Sequence, residues 1–232
     1  MTRAMHPTKI TRHVPMATTG LLLLVALLDA AVREASPGFL VPLLLLPTVF
    51  VPVLVEKWAR VRLPASLQWQ YAVLLIAGPF VGEHVGIYHL WDPWDKWVHF
   101  YSGFFIAFAI VFALGVTLRR YRLDLPPWVE AVIIISVKAS VALLWEVAEF
   151  FWDMAFGTSA QDHNFDTMTD MMLGSAPGIL IAAALIIHRT RRPVQYLDSL
   201  LHVPLPAPRQ VQVRNVRETA DSVDQRQRRS DG

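Results

Sequence analysis

Residues 97–118, WVHFYSGFFIAFAIVFALGVTL, decide the fold class. This stretch of about 22 residues contains no Asp, Glu, Lys or Arg. An α-helix rises about 1.5 Å per residue, so such a run covers about 33 Å and can cross the hydrocarbon core of a bilayer. We therefore interpret it as a transmembrane helix.

Five further apolar runs surround this one. The six predicted spans cover about residues 15–32, 39–55, 67–88, 97–118, 128–152 and 169–188. The whole chain is 54% hydrophobic and 17% charged, whereas soluble domains carry about 25% charged residues. We predict an all-α, polytopic transmembrane bundle of about six helices. It forms one domain over residues 15–192, between a cytoplasmic segment (1–14) and a polar, disordered cytoplasmic tail (193–232).

Basic residues alternate between the two sides of the predicted bundle. They are concentrated before the first span and after the second, fourth and sixth: Arg3, Lys9, Arg12, Lys57, Arg60, Arg62, Arg119, Arg120, Arg122, Arg189, Arg191 and Arg192. The intervening loops contain almost none. Cytoplasmic loops of membrane proteins are enriched in Lys and Arg, so both termini are predicted to be cytoplasmic. The positive charges thus mark topology in a lipid bilayer and give no indication of a nucleic-acid partner.

Carboxylates and histidines gather at the outer ends of three consecutive spans. Asp95 and His99 are four residues apart and therefore share a helix face, as do Asp166 and Asp170 on the sixth span. Glu146 lies with Glu149 and Asp153 in an arc of roughly 60° on the fifth span. We expect the three faces to converge around a polar cavity that opens to the outside.

Ionisable groups in a membrane bundle are costly and commonly functional. Carboxylates with imidazole are ligands for a divalent metal such as Zn, Mn or Mg, and a bound ion would offset their mutual repulsion. Without metal, the same acids would form a general acid–base pair. The structural alternative is that they cap helices or form ion pairs. Lys138, near the middle of the fifth span, is predicted to pair with a carboxylate on its own or a neighbouring helix.

Several reaction classes are disfavoured by the sequence. The chain has no cysteine, which excludes disulfides, thiolate metal sites and cysteine nucleophiles. It contains no Gly-x-Ser-x-Gly nucleophile motif, no phosphate-binding P-loop and no dinucleotide fingerprint.

Three motifs resemble the YjdF-like family of bacterial inner-membrane proteins and, more distantly, VanZ-like proteins. They are Asp95-Lys96-x-x-His99-Phe100-x-x-Gly103-Phe104, Glu146-x-x-Glu149-Phe150, and Phe156-Gly157-Thr158 followed by Gln161-Asp162 and Asp166-Thr167-x-x-Asp170-Met171. The family's Gly-Thr-Gln-Gly-Asp stretch is opened here by inserted residues, and Phe165 replaces a usual Trp. The resemblance implies a location in the bacterial inner membrane and indicates that the outer polar cluster matters, but it implies no established reaction.

Three functional hypotheses follow. The first is a membrane-embedded hydrolase or transferase that acts on a lipid or envelope precursor, with Asp95 and Asp166 orienting the groups that act as metal ligands or acid–base catalysts: His99, Glu146, Glu149 and Asp170. The second is a protein that binds or transports a cation or protons. The third is a non-catalytic scaffold whose polar residues hold the bundle together.

Overall fold

A computed structural model describes residues 9–32, 40–157, 160–161 and 163–205, and all regular structure within those ranges is helical. The α-helices are α1 (Lys9–Val32), α2 (Leu40–Leu45), α3 (Val51–Ala59), α4 (Ala65–Leu75), α5 (Ile87–Leu90), α6 (Pro93–Tyr121), α7 (Pro127–Phe156), α8 (Asn164–Thr190) and α9 (Gln195–Leu201). A 3₁₀ segment, Leu46–Phe50, joins α2 to α3, and a π-helical segment, Ile76–His84, continues α4.

Within the described ranges, four helical stretches are long and apolar enough to cross a membrane: Pro42–Ala59, Pro93–Tyr121, Pro127–Phe156 and Asn164–Thr190. The first and third predicted spans correspond to α1, whose apolar part is Val14–Asp29, and to α4 with its π-helical continuation. The prediction of an all-α, polytopic transmembrane bundle is confirmed.

The second and third spans are irregular because of their prolines. Pro42, Pro47 and Pro52 recur at five-residue intervals, and proline lacks the N–H that an α-helix needs at internal positions. The second span therefore passes through a 3₁₀ segment. In the third span Pro79 lies within the π-helical segment, since the wider turn accommodates the missing donor.

Helices α6, α7 and α8 form the centre of the bundle, and α8 packs along both of the others. Small residues allow this close approach. A Cβ atom at Gly103 of α6 would lie 2.5 Å from the carbonyl oxygen of Gly174 and 2.7 Å from Cγ of Pro177, both on α8. A Cβ atom at Gly178 would lie 3.0 Å from Cβ of Lys138 on α7. The ends of α6, α7 and α8 that carry the carboxylates and His99 are thereby held close together.

Helix α9 departs from the expected disordered tail. Its side chains Leu197, Leu200 and Leu201 share one helix face and are buried, and the backbone of Leu201 lies against Gly115 of α6. At the other end of the chain, α1 begins at Lys9, within the predicted cytoplasmic segment. Residues 1–8 and 206–232 lie outside the described residues.

Candidate functional site

The site is formed at one end of the bundle, where α6 and α8 begin and α7 ends. Helix α6 begins with Pro93, whose missing N–H costs nothing in a first turn. Helix α7 stops at Gly157, which has a positive φ of 66° that glycine adopts readily. These boundaries bring the polar stripes of the three helices to one level.

His99 is the central residue of the site. It is buried, and its two ring nitrogens face different carboxylates. Nε2 lies 3.5 Å from Oδ1 of Asp95, one turn earlier on α6, and Nδ1 lies 3.9 Å from Oε1 of Glu146 on α7. The imidazole therefore connects a carboxylate on its own helix with one on the neighbouring helix.

Lys96 forms ion pairs with the acids on the other side of the site. Its ammonium is hydrogen-bonded to Asp166 and lies 3.4 Å from Oδ2 of Asp170 and 3.6 Å from Oδ2 of Asp95. Two of these carboxylates belong to α8 and one to α6. The sequence places this lysine in the first motif, and the structural alternative considered there, ion pairing of the acids, includes pairing with Lys96.

Two carboxylates of the site each retain an oxygen without a hydrogen-bond partner among the described residues. They are Oε1 of Glu146 and Oδ1 of Asp170. The two residues are only 4% and 2% exposed, respectively. Buried carboxylate oxygens are normally satisfied, so these two require a partner such as a proton, a cation or a ligand.

The loop between α7 and α8 is attached to the site by Asp153 and Gln161. Asp153 accepts hydrogen bonds from the backbone N–H groups of Ala160 (2.8 Å) and Gln161 (2.9 Å). The Gln161 amide donates to the backbone oxygen of Glu146 (2.9 Å) and to its Oε2 (3.3 Å). One oxygen of Glu146 is thereby fixed while the other faces His99. Thr158, Ser159 and Asp162 of the motif lie outside the described residues.

Glu149 completes the α7 side of the site. It is half-buried, and its Oε1 accepts a hydrogen bond of 2.7 Å from the indole N–H of Trp145. Trp145 is not among the residues predicted from the sequence, although a Trp four residues before a Glu on a helix is within reach of such a bond.

The acids and His99 form two groups with the spacing of metal ligands. One comprises Asp95, His99 and Asp170, and the other comprises His99, Glu146 and Glu149. In each group, one ligand atom from every residue lies within 4.8 Å of the others. The structure thus brings together all six residues proposed from the sequence, with Asp166 joined to the others through Lys96.

Tyr88 is a further residue beside the site. Its ring packs over Gly82, and its hydroxyl lies 3.5 Å from the position of a Cβ atom on Gly78. Gly86, with a φ of 84°, turns the chain back so that α5 places Tyr88 against the π-helical segment. In the sequence, Gly78 and Gly82 are four residues apart, and their lack of side chains leaves space for the ring of Tyr88.

Other ionisable side chains of the bundle lie away from these two groups. His84 faces α1, with its Nε2 3.6 Å from Oδ2 of Asp29. Glu83 and His89 are exposed. Lys138 is 2% exposed and forms no ion pair with any described residue. The prediction that it pairs with a carboxylate is therefore wrong for the described part of the chain. Its Nζ lies 3.6 Å from the position of a Cβ atom on Gly174, one turn after Asp170.

Comparison with known proteins gives one match. The profile of a family described as Predicted membrane protein (DUF2238) matches residues 15–191. No curated protein and no solved structure shows significant similarity to the chain. The matched range includes the whole site, and the description of the family gives no activity.

Proposed function

The chain belongs to this family of predicted membrane proteins, DUF2238, and on that premise we propose that it is a membrane-embedded, divalent-metal-dependent hydrolase or transferase that acts on a lipid or envelope precursor. The resemblance of its three motifs to YjdF-like and VanZ-like proteins supports a place in the bacterial inner membrane. The alternation of basic loops supports cytoplasmic termini and a site at the outer side.

The observation that carries the proposal is the unpartnered Oε1 of Glu146, which is buried and lies 3.9 Å from Nδ1 of His99. Two ligands of a tetrahedral zinc ion are separated by about 3.3 Å, because zinc–ligand bonds are about 2.0–2.2 Å long. A small closure would therefore bring this pair to coordination distance. A metal at this position would satisfy the orphaned oxygen and offset the repulsion among the acids.

The arrangement around His99 resembles that of catalytic metal sites in its chemistry. Asp95 lies at the ring nitrogen opposite Glu146, which is where a carboxylate fixes the orientation and basicity of a metal-bound histidine. Gln161 holds the second oxygen of Glu146. A metal bound here would acidify a water molecule and polarise an ester or phosphoryl oxygen. A remaining carboxylate would transfer the proton.

A lipid substrate is supported by an open apolar groove of about 350 Å³, whose lining includes none of the six proposed site residues. It lies between α4, its π-helical continuation and α6, and its walls include Trp91, Trp97 and Tyr101. The indole N–H of Trp94 is fixed by a 3.1 Å hydrogen bond to the carbonyl of Ala77. The lining is apolar and suits a hydrocarbon chain, while the polar stripe with Asp95 and His99 lies on a different face of α6.

The test is the lipid and envelope-precursor profile of cells lacking the chain, complemented with wild type, His99→Ala or Glu146→Ala. We expect wild type to restore the profile and both variants to fail, because each removes a proposed ligand or acid–base group. Protein level and thermal midpoint serve as controls for folding. An unchanged profile with both variants, at normal protein levels, would contradict the enzyme. Lost stability with retained function would indicate a scaffold.

The buried Lys138 is the observation that favours the alternative, a cation or proton transporter, because it extends the polar residues toward the middle of α7. The structure also places an ion pair at the opposite end of α7, where Arg189 lies 3.0 Å from buried Glu130. Between them, however, Ile134 and Leu185 are fully buried in an apolar layer. A hydrated path for ions would have to cross this layer, so we rank transport second.

We expect Lys138→Met to retain the lipid phenotype and to keep or raise the thermal midpoint. Burying an ammonium without an ion-pair partner is costly, so an apolar side chain of similar length should be neutral or stabilising here. The measurement combines complementation with thermal unfolding in detergent. In liposomes, wild type should give no cation or proton flux above empty vesicles. Flux that disappears in Lys138→Met would establish transport instead.

A further inference from the structure

The two groups of ligand atoms are not equivalent, because Lys96 contacts only one of them. Its ammonium lies 3.6 Å from Asp95 and 3.4 Å from Asp170, which are both carboxylates of the first group. Neither Glu146 nor Glu149 forms an ion pair with Lys96 in the described part of the chain. The first group therefore already holds a positive charge.

We infer that Lys96 acts as an internal cation that occupies the Asp95–Asp170 side of the site, leaving His99, Glu146 and Glu149 as the ligands of a single divalent ion. This inference rests on the proposed metal-dependent function and specifies where the metal binds. It removes Asp170 from the metal ligands and makes Lys96 the residue that limits the site to one ion.

Charge supports this division. A divalent ion bound between Asp95 and Asp170 would lie next to the ammonium of Lys96, and like charges at such short range repel strongly in a buried site. Among the described residues, the opposite group has no such cation, and the orphaned Oε1 of Glu146 in it lies 3.9 Å from Nδ1 of His99. Imidazole and carboxylate oxygens of this kind are ligands for Zn²⁺ or Mn²⁺.

The residues around each group reinforce the difference. In the second group, Gln161 and Trp145 donate hydrogen bonds to Glu146 and Glu149, which orients both carboxylates without a competing positive charge. In the first group, Oδ2 of Asp170 is directed to Lys96, and its Oδ1 has no partner. Removing the lysine would therefore leave the carboxylates of Asp95 and Asp170 without a cation and available for a second ion between them.

The experiment is a titration of the metal-stripped, detergent-purified full chain with Zn²⁺. We expect one ion per chain in wild type, an affinity at least about 100-fold lower in Glu149→Gln, and an affinity within about threefold of wild type in Asp170→Asn. Lys96→Met should bind two ions. Lys96→Arg, which keeps the charge, and Lys57→Met, which removes an exposed lysine, should each bind one.

A large loss of affinity in Asp170→Asn with normal binding in Glu149→Gln would overturn the assignment, as would a single ion in folded Lys96→Met. In either case wild type still binds metal, so the proposed metal-dependent function survives. No zinc uptake by folded wild type would overturn both this inference and the metal dependence. The lipid profile tests the enzymatic role independently of either result.

Discussion

Alanine at His99 is expected to remove the bound metal from the purified protein and to lower the affinity for added Zn²⁺ by at least about 100-fold. Changes next to a metal ligand typically cost 10–100-fold in affinity, and loss of the ligand itself should cost more. Glu146→Gln should have a similar effect because it replaces a charged ligand oxygen by a neutral amide. The measurements are elemental analysis after purification and a zinc titration of the stripped protein.

The matched control for this prediction is His89→Ala. His89 is an exposed histidine at the same end of the bundle, in α5, and it belongs to neither group of ligand atoms. Its replacement should leave the metal content unchanged. A well-folded wild type that takes up no Zn, Mn or Mg would refute the metal-dependent mechanism, and the acids would then have to act by acid–base chemistry alone.

The fold was largely predictable because a bilayer imposes simple rules on sequence. Long apolar runs gave α6, α7 and α8 within a few residues of their ends. Helical spacing also predicted that Asp95 and His99 share a face, as do Glu146 and Glu149. The convergence of the three faces followed from short loops and from the placement of all these residues at helix ends on one side.

The division of the site into two groups was not predictable from spacing. Periodicity places a side chain on a helix face, but it does not say which nitrogen of His99 faces which acid. That depends on how closely α6 approaches α8, and hence on the contact of Gly103 with Gly174. The role of Lys96 depends on the same contact, because its acidic partners Asp166 and Asp170 belong to α8.

Other departures have local causes. Lys138 was expected to have a carboxylate partner, but two turns of helix separate it from Glu146, and its ammonium is enclosed by α8 near Gly174. Helix α9 was missed because it is short and follows a polar segment. Its leucine face can be recognised as a packing surface only from the contact of Leu201 with Gly115 of α6. Propensity alone does not reveal such tertiary contacts.

Alanine at Gly103 is expected to destabilise the bundle by about 1–3 kcal/mol, the usual cost of overpacking. The added methyl group would lie 2.5 Å from the carbonyl oxygen of Gly174 and 2.7 Å from Cγ of Pro177. Backbone and a proline ring cannot rotate away, so α6 and α8 must separate. For a chain of this size, the thermal midpoint should fall by roughly 2–12 °C, measured by circular dichroism in detergent.

Gly20→Ala is the matched control, because a Cβ atom there would make an ordinary contact of 3.6 Å with the side chain of Val49. Alanine favours a helix over glycine by up to about 1 kcal/mol, so this variant should be neutral or slightly stabilising. If both variants shift the midpoint equally, the α6–α8 contact is not tight. If Gly103→Ala alone loses stability, it should also weaken zinc binding, because α8 packs against both α6 and α7 and its displacement would shift His99 on α6 relative to Glu146 and Glu149 on α7. The close contact at Gly103 thus determines both the stability of the bundle and the geometry of the site.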